Sequence, residues 1–170
     1  CSCSEFCGRE PYCPPYANLV AEGLERRYGI DVALTNLSLG GTTTSWGMEQ
    51  VAAVKATSPD LVILGFGMND VTPGLSRITY KNNIEDIISN IQAENQECQF
   101  IVLHTFPPNP LYASDMKFNE YFEQLQKLEG NGVCVVNLWE IGKSILKIKE
   151  YCEISANNVN HPNDFFTRIY

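Results

Sequence analysis

The chain has 170 residues, 44% of them hydrophobic, which is the size of one domain able to bury a substantial core. Twelve basic residues against twenty acidic ones give a net charge of −8, which argues against nucleic acid or an anionic membrane surface as a partner. No apolar run approaches the roughly 20 residues of a membrane span and no signal-peptide pattern is visible, so an uncharged or cationic small molecule is the expected partner.

Four of the seven cysteines, Cys1, Cys3, Cys7 and Cys13, fall in the first thirteen residues. Their spacing lacks the paired C-x-x-C of a zinc site, and only two histidines could assist, so neither a metal nor another cofactor is expected. Cys98, Cys134 and Cys152 lie in or beside apolar stretches and read as small buried hydrophobes.

In chain order, "PPYANLVAEGLERRYG" opens on proline, carries Leu19, Val20 and Leu24 at helical spacing and stops at Gly29. "DVALTNL" (31–37) predicts a short strand, "SLGGTTTSWG" a glycine-bearing loop, and "MEQVAAVKA" a helix. "DLVILGFG" (60–67) is a continuous apolar run, as expected of a strand buried on both faces of a parallel sheet. "YKNNIEDIISNIQAEN" predicts a helix, and "QFIVLHTF" (99–106) a second buried strand that ends at "PPNP". "DMKFNEYFEQLQKLEG", "GVCVVNL" (132–138) and "WEIGKSILKIKEY" then read as helix, strand and helix. Such alternation without a linker or repeat predicts one α/β domain with a doubly wound parallel sheet and helices on both faces.

Ligands in such a sheet bind beyond the carboxyl ends of the strands, so the polar residues there matter most. Gly40 and Gly41 follow the first predicted strand, Gly67, Asn69 and Asp70 the next, His104 ends another, and "NNVNHPND" (157–164) follows the last. Acyl transfer would use these residue types for definite reasons. A glycine-turn N–H and an asparagine amide can be fixed where an oxyanion develops, which suits Gly41 and Asn69. A histidine can accept a nucleophile's proton near neutral pH, which suits His161. Taken singly, each has a plainer reading: Gly41 as a turn former, Asn69 and Asp70 as caps, and His104 as a hydrogen-bonded core histidine.

Together, "NLSLGGTTTSWG", "GFGMND" and "VNHPNDF" resemble the second, third and fifth sequence blocks of the SGNH hydrolases, also called GDSL-type esterases and lipases, and "PYANLVAEGLERRYG" resembles their first helix. The likeness spans nearly the whole chain. It implies a flavodoxin-like three-layer α/β/α fold, hydrolysis of esters of lipids, acylated sugars or other small acyl compounds, an oxyanion hole containing Gly41 and Asn69, and His161 as the base.

Two departures stand out. No Gly-Asp-Ser-Leu block is visible; placing "SCSEFCG" over it puts Ser4 at the nucleophile, but no strand precedes it. A chain that lacks the first central strand, with the true nucleophile ahead of Cys1, is the preferred expectation. The domain, 1–170, is then incomplete at both ends. At the acid position three residues before His161 stands Asn158, which can orient an imidazole but supplies no charge. A Ser-His dyad is therefore an alternative to a triad. Asp164 is a weaker substitute acid, expected instead to cap the terminal helix.

The expected activity is that of a serine esterase cleaving a short-chain acyl group from a carbohydrate or other polar alcohol. The alternative is a catalytically degenerate module that binds an acylated glycan. A nucleotide-binding role is disfavoured because neither G-x-G-x-x-G nor a P-loop is present.

Overall fold

The structure, a computed structural model, describes residues 14–113 and 115–170. Among these residues three strands form one parallel sheet: β1 (Leu61–Gly65), β2 (Gln99–His104) and β3 (Val133–Asn137), in that spatial order. Leu61 aligns with Gln99, and Phe100 with Val133, so both pairings are in parallel register with β2 central. Parallel neighbours need crossover connections. Here they are α3 (Met68–Val71) with α4 (Arg77–Gln92), and then α5 (Asp115–Leu125). The chain also forms α1 (Tyr16–Tyr28), α2 (Thr44–Lys55), α6 (Leu138–Ile145) and α7 (Asp164–Thr167). Among the described residues no helix is long and apolar enough to cross a membrane. The α/β class with a parallel sheet flanked by helices agrees with the sequence reading.

The chain divides into two compact units, Gly41–Ile148 and a second made of the segment up to Gly40 with Lys149–Tyr170. In the first, α4 buries Tyr80, Ile84, Ile87, Ile88 and Ile91, a stripe at helical spacing, against Val62 and Leu64 of β1 and Phe100 and Val102 of β2. Each such aliphatic side chain contributes roughly 1.5–3 kcal/mol by leaving water. The helix starts where Ser76 Oγ accepts the Thr79 N–H at 3.1 Å. In the second unit, α1 ends on Gly29 in the left-handed conformation (φ 65°), whose N–H reaches the Glu25 carbonyl at 2.8 Å. Tyr16 stacks on Tyr170 with ring centroids 4.9 Å apart.

Several boundaries differ from the sequence expectation. Residues 31–37 form no strand and are largely exposed. A strand exists only as part of a ladder, and local side chains bond this backbone instead: Glu25 Oε1 accepts the Val32 N–H and Asn36 Oδ1 the Ser38 N–H. Helix α2 begins at Thr44, inside the expected loop, and α6 stops at Ile145, well short of Tyr151. Strand β1 ends at Gly65 because Gly67 turns the backbone to φ 128°. Cys98 is buried as expected, whereas Cys134 and Cys152 are exposed, on the edge strand β3 and in a single helical turn at Tyr151–Glu153.

Candidate active site

The loop leaving β1 and the turn entering α2 meet in the first unit. Gly41 holds φ 81°, a left-handed conformation that disfavours a side chain, and its N–H has no acceptor among the described residues. Half-buried Asn69 donates from Nδ2 to the carbonyl of Thr42 at 3.2 Å. An amide nitrogen carries two hydrogens, so this bond orients the Asn69 side chain and leaves a second donor beside the Gly41 turn.

Behind this pair lies a buried polar network. Fully buried Asp70 accepts the Thr44 N–H at 2.8 Å and the Thr44 hydroxyl at 2.6 Å on Oδ1, and the Gly67 N–H at 3.1 Å on Oδ2. Asn83 Nδ2 in turn donates to Thr44 Oγ1 at 2.9 Å. Burial raises the Asp70 pKa, while the bonds from Thr44 and Gly67 oppose that rise. The plain cap reading of Asp70 is therefore half the answer, because this carboxylate caps two helices at once. Thr44 and Asn83 were not singled out from sequence. The run Thr42–Thr43–Thr44 before a helix was the available signal for Thr44, and nothing local marks Asn83.

Gly47 shows how closely these layers approach: a Cβ there would stand 2.8 Å from Phe66 Cζ and 3.1 Å from Ile87 Cδ1.

His104, at the end of β2, is fully buried, and neither ring nitrogen has a well-formed hydrogen-bond partner among the described residues, the Phe118 backbone being only a weak contact. It lies among aromatic rings, with centroids 5.3 Å from Phe122 and 6.2 Å from Trp139. Burial pushes its pKa down to about 4, with the backbone at Phe118 opposing in part. It is a core histidine, as expected, but not a satisfied one.

In the second unit, the Asn157 side-chain oxygen accepts the N–H groups of Val159, Asn160 and His161, each at 3.0 Å. The His161 carbonyl accepts the Ala156 N–H at 2.8 Å and the Ser155 hydroxyl at 2.9 Å. The backbone of half-buried His161 is thus tied on both sides, and burial lowers its pKa from 6.5. Asn157, missed from sequence, organises the loop. Asn158 is exposed at φ 57° in the turn that lets the chain wrap around Asn157. The terminal helix is capped by Asn163, whose Oδ1 accepts the Phe166 N–H at 3.1 Å, and not by Asp164, which is its first residue. Ser4 lies outside the described residues. The structure therefore brings Gly41 and Asn69 together in one unit and places His161 and Asn158 in the other.

The family model described as the GDSL-like lipase/acylhydrolase family matches residues 4–164. Among solved structures, an acetylxylan esterase from Geobacillus stearothermophilus is 17% identical with a TM-score of 0.77, over 91% of this chain and 76% of that one. A lipase/acylhydrolase from Enterococcus faecalis is 19% identical with a TM-score of 0.74, over 91% and 79%. A lipase from a goat rumen metagenome is 16% identical with a TM-score of 0.78, over 95% and 88%. At these identities the structural likeness concerns the fold. No curated protein matches the chain by sequence.

Proposed function

We propose, from the premise that this chain belongs to the GDSL-like lipase/acylhydrolase family, that it is a serine esterase releasing a short acyl group from a carbohydrate or another polar alcohol. The observation that carries the reading is the Asn69 amide held at the Thr42 carbonyl beside the Gly41 turn, two neutral donors presented on a rigid frame. Such donors stabilise an oxyanion because they are already oriented when the charge appears.

The reaction follows from these roles. A serine Oγ forms a bond to the ester carbonyl carbon as His161 takes its proton, and the carbonyl π electrons move to the oxygen facing the Gly41 and Asn69 donors. The tetrahedral species collapses as the C–O bond to the alcohol breaks and His161 returns the proton to that leaving oxygen. Water then repeats the sequence on the acyl-enzyme, releasing the acid and restoring the serine. Ser4 is the candidate nucleophile within this sequence, and Asn158 the candidate orienter of His161. The acidic composition and the fold shared with an acetylxylan esterase support a polar, short-chain ester as substrate.

A fluorophosphonate probe tests the proposal, because covalent labelling demands an activated serine. Labelling of the chain, lost in His161→Ala and mapped by peptide sequencing, supports it. Labelling that is retained in Ser4→Ala, or absent altogether, removes Ser4 from the mechanism, and a folded chain that binds an acylated glycan without being labelled supports the glycan-binding module.

A further inference from the structure

We propose that Asp70 is a positioning residue that holds the Gly41 turn and Asn69 at a fixed separation through Thr44. The inference deepens the esterase reading and rests on its assignment of the oxyanion donors. Its ground is a geometry that a simple cap does not require. The first turn of α2, two residues beyond Thr42, hangs on one oxygen of this carboxylate, and the turn that carries Asn69 hangs on the other. Asn69 adds its own bond to Thr42 at 3.2 Å, closing a ring made of Asp70, Thr44, the chain back to Thr42, and Asn69.

Among the described residues the carboxylate's partners, the Thr44 N–H and hydroxyl and the Gly67 N–H, are all donors, so the ring is built for the ionised form, and any group that must itself donate breaks one arm. The Thr44 hydroxyl accepts from Asn83 and therefore directs its own proton at Asp70. Being fully buried, Asp70 and Thr44 have no water to replace a lost bond. Relaxation must occur in the backbone, which shifts the donors relative to one another, and displacement of a catalytic group by about 1 Å costs on the order of 100-fold in rate.

The test compares Asp70→Asn, Thr44→Val and Thr44→Ser with the unaltered chain, using turnover of a small acetyl ester together with the NMR signals of the Asn69 side-chain amide. Positioning predicts that Asp70→Asn and Thr44→Val lower kcat by about 10- to 100-fold with KM within roughly twofold, and shift the Asn69 amide signals, while Thr44→Ser restores both. Variants that lose thermal stability yet, when folded, keep the original kcat and the original Asn69 signals would overturn it. If Asp70→Asn does not fold, the Thr44 pair carries the same comparison. If the unaltered chain hydrolyses no ester, the esterase reading fails separately, and the Asn69 signals alone decide: unchanged in Thr44→Val, they overturn the positioning role; shifted, they support it.

Discussion

His104 provides a test that does not depend on the function. It is fully buried with neither nitrogen in a well-formed hydrogen bond among the described residues, and burial pushes its pKa down to about 4 in the folded chain from 6.5. A base whose folded pKa is depressed binds its proton more readily when the chain unfolds. Its stabilising contribution is therefore fully present above pH 6.5 and is lost as the pH falls toward 4. At about 1.4 kcal/mol per pH unit the whole linkage is roughly 3 kcal/mol, of which about 2 kcal/mol disappears between about pH 7 and pH 5. Replacing His104 by Leu removes the titration and two buried ring nitrogens, and fills a site walled by Phe122 and Trp139. Urea unfolding at the two pH values should show the unaltered chain losing about 2 kcal/mol more than His104→Leu. Asp70, whose raised pKa acts with the opposite sign, is present in both proteins and cancels in the comparison. Equal losses in the two proteins would refute the assignment of acid sensitivity to this buried ring.

Other expectations follow from the same geometry. Gly47→Ala forces a methyl group to within 2.8 Å of Phe66, and should destabilise the fold by about 1–3 kcal/mol in thermal or urea unfolding. Asn157→Ala removes the acceptor shared by three solvent-exposed backbone N–H groups and should speed amide hydrogen exchange at residues 159–161, equivalent to about 0.5–1.5 kcal/mol of lost protection. If Asn69 serves the oxyanion, Asn69→Ala should lower kcat by about 100- to 1000-fold with little change in KM. If His161 is the base, it acts in its neutral form, and since burial holds its pKa below 6.5 the acid limb of kcat/KM should lie below pH 6.5; a limb above that value would contradict the assignment.

The legibility of this protein in its sequence followed the range of the interactions concerned. The apolar runs of β1 and β2, the stripe from Tyr80 to Ile91 and the stop at Gly29 are local patterns, and they were readable because burial and backbone conformation act on each residue where it stands. Residues 31–37 misled because strand propensity states only a capacity to pair. The family resemblance likewise came from short blocks, and it drew attention to Gly41, Asn69 and His161.

What those blocks could not show is how their residues are held. By itself the sequence determined the α/β class, the periodicity of the core and the polar residues collected after the strands. Only the tertiary structure decided that Asp70 spans two helix starts, that Thr44 and Asn83 stand behind it, that Asn157 gathers three N–H groups around His161, and that His104 is buried without a well-formed hydrogen bond among the described residues. Apolar patterning is written in steps of two to four residues. A hydrogen bond between Thr44 and Asp70, or between Asn83 and Thr44, joins positions tens of residues apart and exists only once packing has brought them together and removed the water.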